Sequence, residues 1–124
     1  MTRINLSIDP KILTQPHLLA EHREMKRIPN MVRTGKIKLD NIPDQFTLGT
    51  GHVKFFVNKL GYLLERYKQV HAECLKRGYN VQDYSGAWQG IPSHLMGCYT
   101  PTERDREIVM ERLISKDNIY SRSI

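Results

Sequence analysis

The sequence predicts an all-α protein, a compact single domain over residues 1–124 whose three main helices include a long central one that the others pack around. Three observations point there. Apolar residues recur at spacings of three and four over residues 53–75. Helix-capping residues stand near positions 14 and 100. No stretch alternates apolar with polar residues as a half-buried strand would.

The first helix begins after Thr14, a side chain suited to the N-cap. Pro16 falls in the first turn, where its missing N–H has no intrahelical partner to lose. This helix should be spent by Pro29. The second begins after Gly49-Thr50-Gly51 and runs to about Arg77. Its stripe is Val53, Phe56, Val57, Leu60, Leu63, Leu64, Tyr67, Cys74 and Leu75. Lys76 and Arg77 in the last turn, with Gly78 beyond, form an ordinary C-terminal stop. The third opens on Thr100-Pro101-Thr102-Glu103, read as a capping box with proline at the first helical position, and should bury Ile108, Val109, Leu113 and Ile114. The connections 29–50 and 79–99 are rich in Gly, Pro, Asn and Asp, and residues 117–124 are expected to fray.

Bulk properties narrow the class. A chain of 124 residues buries about two-thirds of the surface its unfolded form exposes, so it needs no staples. Cys74 and Cys98 stand in no disulfide-framework spacing, and no secretory signal or membrane-length apolar run is present. A reduced cytoplasmic protein with free thiols is expected. Nineteen Lys and Arg against thirteen Asp and Glu give a charge of +6, which favours a polyanionic partner without identifying one. There is no phosphate-binding loop or serine elbow. His71 and Cys74 have metal-ligand spacing, but no second pair completes a set, so no metal is expected. Gly49-Thr50-Gly51-His52 reads as a tight turn more readily than as a phosphate cradle. Trp88 serves equally as a core anchor or as a ring stacking on a base.

Two features could carry chemistry. At about 100° per residue, His17 and Glu24 fall about 20° apart on the first helix, with Ala20 and Arg27 beside them and Arg23 at the border. Leu18 and Met25 lie opposite, toward the core. One face thus offers a carboxylate among cations over a small residue, although an ordinary solvated face has the same composition. The second feature is the N-terminus. Thr2 is small, so removal of Met1 should free its α-amine, and a cation such as Arg3 would favour the neutral form. Roughly a third of such an amine is neutral at pH 7.5, against roughly one in a thousand for lysine. A neutral amine can attack an anomeric carbon and form a Schiff base.

Four blocks in order carry a resemblance: Thr2-Arg3-Ile4-Asn5-Leu6, then residues 17–24 (HLLAEHRE), then Gly49-Thr50-Gly51-His52-Val53, then residues 72–78 (AECLKRG). They resemble the phage endonuclease V family, pyrimidine dimer DNA glycosylases with abasic-site lyase activity. The likeness is close over residues 2–28 and 49–83 and loose over 100–116.

The resemblance implies roles residue by residue. The amine of Thr2 would be the nucleophile and Glu24 the catalytic carboxylate. Arg3, His17, Arg23, Arg27, Arg112 and Lys116 would contact DNA. It implies an all-α monomer acting on double-stranded DNA with no metal, cofactor or membrane, in the host cytoplasm if phage-encoded. Some positions depart from the pattern. Pro16 replaces a glutamine, Lys26 replaces a proline, the segment 29–48 is shorter, and the family's aromatic C-terminal segment has no counterpart in Tyr120-Ser121-Arg122-Ser123-Ile124. Catalysis is therefore better supported than choice of lesion. Two alternatives stand beside it: the same chemistry on another damaged, mismatched or modified base, or a non-catalytic DNA-binding protein.

Overall fold

The computed structural model describes residues 4–121, with side chains through residue 114. It is helical, and among the described residues no strand forms; the one extended pairing is an isolated bridge between Lys59 and Met96. Five helices follow in order: α1 (Gln15–Glu24), α2 (Arg27–Arg33), α3 (His52–Phe55), α4 (Leu60–Lys76) and α5 (Glu103–Ser121). The all-α prediction holds, and α4 is the central element against which α1 packs.

The first predicted helix is two. α1 stops at Glu24, and Pro29, expected beyond the helix, sits in the first turn of α2. Proline is accepted there because a first-turn N–H has no intrahelical acceptor. The break follows from Pro29, which has no N–H to give to Met25 O; Ile28 N–H donates to that oxygen instead, at 3.3 Å.

The second predicted helix is also divided, between α3 and α4. Phe55, Phe56 and Val57 are consecutive and all fully buried. A straight helix would spread them over about 200° of its circumference, so the chain leaves helical geometry and turns all three inward. The strand-like segment at 96–97 then crosses the α4 N-terminus closely enough that Gly97 O accepts the Tyr62 N–H at 2.9 Å. A side chain at Gly61 would lie 2.6 Å from Met96 O, and one at Gly97 2.4 Å from Asn58 O, so only glycines fit this crossing. The far end of α4 behaves as read. Gly78 and Tyr79 donate to Leu75 O and Cys74 O in a two-bond C-terminal closure, with Gly78 at φ 81°.

The third helix starts later than predicted. Its capping box is Thr102 with Asp105: Asp105 N–H donates to Thr102 Oγ1 (3.1 Å) and Thr102 N–H to Asp105 Oδ2 (3.0 Å). The sequence offers two overlapping boxes, and the second wins because Asp105, at 2% exposure, also accepts the Tyr99 hydroxyl. Val109 and Leu113 are buried as expected, whereas Ile114 is 53% exposed, a hundred degrees round from Leu113.

The core comprises Leu18, Met25, Ile28, Phe46, Leu60, Leu63, Tyr67 and Val70, joined by Ile4, Leu6 and Ile8 from the N-terminal segment. Each fully buried Leu, Ile or Phe contributes about 1.5–3 kcal/mol. Trp88 belongs to this core: it is 5% exposed and its Nε1–H donates to Leu60 O at 3.0 Å.

Candidate active site

Three of the candidate residues, Glu24, Arg23 and Arg27, meet at the end of α1. Glu24 is nearly buried, and two arginines reach it from the solvent side. Arg27 Nη1 stands 2.8 Å from Oε2 and Arg23 Nη2 stands 3.5 Å from Oε1, the two side chains 56% and 64% exposed. Although ion-paired, Glu24 Oε2 accepts no hydrogen bond in a bonding direction among the described residues. A buried carboxylate oxygen with acceptor capacity left over is unusual. His17 lies two turns earlier, where its Nδ1 meets Thr14 Oγ1 at 3.2 Å.

Beyond Arg27 the surface stays basic. A depression of about 410 Å³ is lined by Arg27, Asn30, Met31, Arg33, Thr34 and Lys36, continuing the cationic strip along α2.

On the other side of α1 the chain is anchored. Residues 4–8 run through the interior, with Ile4, Asn5, Leu6 and Ile8 each at most 2% exposed. Asn5 N–H and Asn5 Nδ2 donate to Glu21, at 3.3 and 2.8 Å, and Glu21 is one turn before Glu24. Arg66 of α4 grips the same carboxylate with Nε and Nη2, at 2.8 and 3.0 Å, and donates from Nη1 to Ile8 O at 2.5 Å. The ion pair lifts the Arg66 pKa although burial works against the charge. Arg112 Nη2 donates to Asn5 Oδ1 at 2.5 Å. The Ile4 N–H donates to His52 Nε2 at 3.0 Å, so Nδ1 carries the ring proton and donates to Thr47 O at 2.9 Å.

The structure thus brings Glu24, Arg23 and Arg27 together and places Arg112 on the N-terminal segment. Thr2 and Arg3 lie outside the described residues, as does the side chain of Lys116. Sequence reasoning missed Glu21, His52 and Arg66. Glu21 and His52 stood inside quoted blocks, but nothing in a block separates an inward-facing carboxylate from an outward-facing one. Arg66 carried a signal, a cation in the middle of an apolar stripe. The turn at residues 49–52 is a structural device: His52 N–H closes on Gly49 O at 3.0 Å, with Gly49 and Gly51 both at positive φ.

A second histidine cluster sits behind α1. His22 Nε2 lies 3.0 Å from His71 Nδ1 and 3.2 Å from the Tyr67 hydroxyl. Burial first, then the nearby charges of His71 and Lys26, push the His22 pKa down to about 4, against a small opposing pull from Asp83. Lys26 also lies 3.7 Å above the Tyr84 ring.

The described residues thus give an all-helical chain with a nearly buried carboxylate held by two exposed arginines beside a basic depression. The chain belongs to the pyrimidine dimer DNA glycosylase family, whose sequence model matches residues 1–84 of its 124. That family takes DNA as its substrate. No helix among the described residues is long and apolar enough to cross a membrane.

Proposed function

We propose that the protein is a DNA glycosylase with abasic-site lyase activity, acting on cyclobutane pyrimidine dimers through the α-amine of Thr2 and the carboxylate of Glu24. The observation that carries this reading is the state of Glu24: nearly buried, neutralised by two solvent-facing arginines, and still holding an oxygen without a hydrogen bond. It gains weight from the N-terminal segment, which docks on the same helix one turn away, about 4.5 Å along the axis.

In this mechanism the neutral amine of Thr2 attacks C1′ of the damaged nucleotide. The C1′–N bond breaks and its electron pair leaves with the base, which takes up a proton. Loss of the amine proton and opening of the sugar ring give an iminium ion, which Glu24 stabilises electrostatically. Removal of a C2′ proton then expels the 3′ phosphate by β-elimination, completing the lyase step. Arg3, Arg23 and Arg27 hold phosphates and keep the amine neutral, and His17 and Lys116 add DNA contacts; Arg112, which the resemblance also places on DNA, reaches Asn5. No step calls for a metal or organic cofactor. The protein works on double-stranded DNA as a monomer and a single domain.

Borohydride reduction of the reaction on dimer-containing duplex should trap a covalent adduct, and mass spectrometry should place it on the N-terminal peptide at Thr2. An adduct on a lysine, or full activity after an extra residue is added before Thr2, overturns the assignment. One observation favours a second reading, the same chemistry on another lesion. Trp88, which the sequence offered equally as a core anchor or as a ring stacking on a base, is the core anchor, so it supplies no contact to replace the family's aromatic segment. Efficient cleavage of abasic or mismatched duplex with none of dimer duplex would select that reading. Duplex binding with no cleavage of any substrate would select a non-catalytic DNA-binding protein.

A further inference from the structure

The N-terminal segment is held far more tightly than packing requires. Four side chains from separate parts of the sequence grip residues 4–8: Glu21, His52, Arg66 and Arg112. The Glu21–Arg66 pair is almost fully buried, and such pairs stabilise a fold no better than apolar residues of equal volume. Leu6 is held at φ 47°, in the left-handed region that a leucine avoids. Apolar packing calls for neither feature. Both serve a chain that must occupy one register and no other, since strained backbone persists only where its surroundings over-determine it.

We infer that Glu21, His52, Arg66 and Arg112 are positioning residues, which fix the register of residues 4–8 and through it the α-amine two residues before Ile4. This rests on the reading of Thr2 as nucleophile. Two residues of chain reach at most about 7 Å, so an anchor at Ile4 restricts the amine directly. A displacement of about 1 Å at a reacting group costs about 10²-fold in rate. Arg112 on this account serves the protein's own N-terminal segment and not a DNA phosphate.

The test uses the full-length protein and a duplex with one abasic site, which isolates imine formation from base release. Asn5→Ala removes the side-chain bonds to Glu21 and Arg112 while leaving every charge in place, and Asn5 is too buried to touch DNA. Its single-turnover rate of borohydride trapping should fall about 10²-fold. Duplex Kd should stay within about twofold, with an unchanged salt dependence. Trapping at the wild-type rate overturns the inference. Should Asn5→Ala fail to fold by circular dichroism, Arg112→Met carries the same test: slower trapping at an unchanged salt slope supports positioning. Weaker binding with a log–log slope reduced by about 0.9, and normal trapping once bound, makes Arg112 a phosphate contact and overturns it. Wild-type protein giving no adduct at Thr2 would defeat the functional reading itself. A normal wild-type adduct with unaffected variants defeats this inference alone.

Discussion

α1 carries two carboxylates one turn and about 60° apart, an inner one and one at the solvent boundary, held in opposite ways. Glu21 faces inward and receives four donors, two from Asn5 and two from Arg66, all fixed by the fold. Glu24 stands at the solvent boundary: it is itself nearly buried, and its two cations are long side chains more than half exposed. A carboxylate saturated by rigid donors has no lone pair left for a reaction. One neutralised by exposed arginines keeps acceptor capacity, and on the proposed function those arginines turn to phosphates when DNA arrives. Burial alone does not separate the carboxylate proposed as catalytic from the structural one; the origin and exposure of their partners do.

The largest expected effects break this contrast from each side. Glu21→Ala strands Arg66 without its counter-charge in the interior and should cost about 3–5 kcal/mol of stability, read from urea unfolding. A loss below about 1 kcal/mol would mean that the inner pair is dispensable. Glu24→Gln should leave stability within about 1 kcal/mol, because its partners are exposed. It should slow base release from dimer duplex about 10²–10⁴-fold without weakening duplex affinity. Near-normal turnover by this variant would reduce Glu24 to an ordinary surface anion.

The surroundings of Glu24 were legible in the sequence and those of Glu21 were not, for a physical reason. Glu24, Arg23 and Arg27 are near neighbours in the chain, so helical spacing alone brings them together. The contacts of Glu21 reach 16 and 45 residues away, and that of Arg112 reaches 107. Periodicity carries no information about such separations. Helix existence was readable from apolar spacing, whereas the breaks at Met25 and at Phe56 were not. The second arises because three consecutive apolar residues, Phe55 to Val57, all find room inside, the first because Pro29 has no N–H to continue the ladder. The shift of the α5 cap from Thr100 to Thr102 has the same origin, since a distant preference, the Tyr99–Asp105 bond, chose between two acceptable local boxes.

A pH series sharpens the inner half of the comparison. His22 is 2% exposed and its pKa lies at about 4, with burial the main cause. The ordinary value of about 6.5 applies to the unfolded chain. Between those values the unfolded state binds more protons, so stability is lost as pH falls from about 6.5 toward 4. At 1.36 kcal/mol per unit the ceiling is roughly 3 kcal/mol. Thermal melts of wild type and His22→Gln across this range should diverge, with the variant losing less on acidification. Parallel curves would mean that the imidazole accepts a proton in place.

The outer cations should matter little to the fold, and this is what makes them informative. Arg23→Ala with Arg27→Ala removes both partners of Glu24, but the pairs open to solvent on the arginine side, so the loss should stay below about 2 kcal/mol, less than for the fully buried Glu21–Arg66 pair. Binding is another matter. Each cation that neutralises a phosphate contributes about 0.9 to the log–log dependence of affinity on salt. The double variant should therefore lower that slope by about 1.8 on an undamaged duplex, where lesion recognition and covalent chemistry are absent. A slope equal to wild type would show that these arginines serve Glu24 alone and that the basic strip along α2, through Arg33 and Lys36, carries the phosphates instead. A stability loss above about 2 kcal/mol would place them with Arg66 as structural partners, and the distinction between the two carboxylates of α1 would fail.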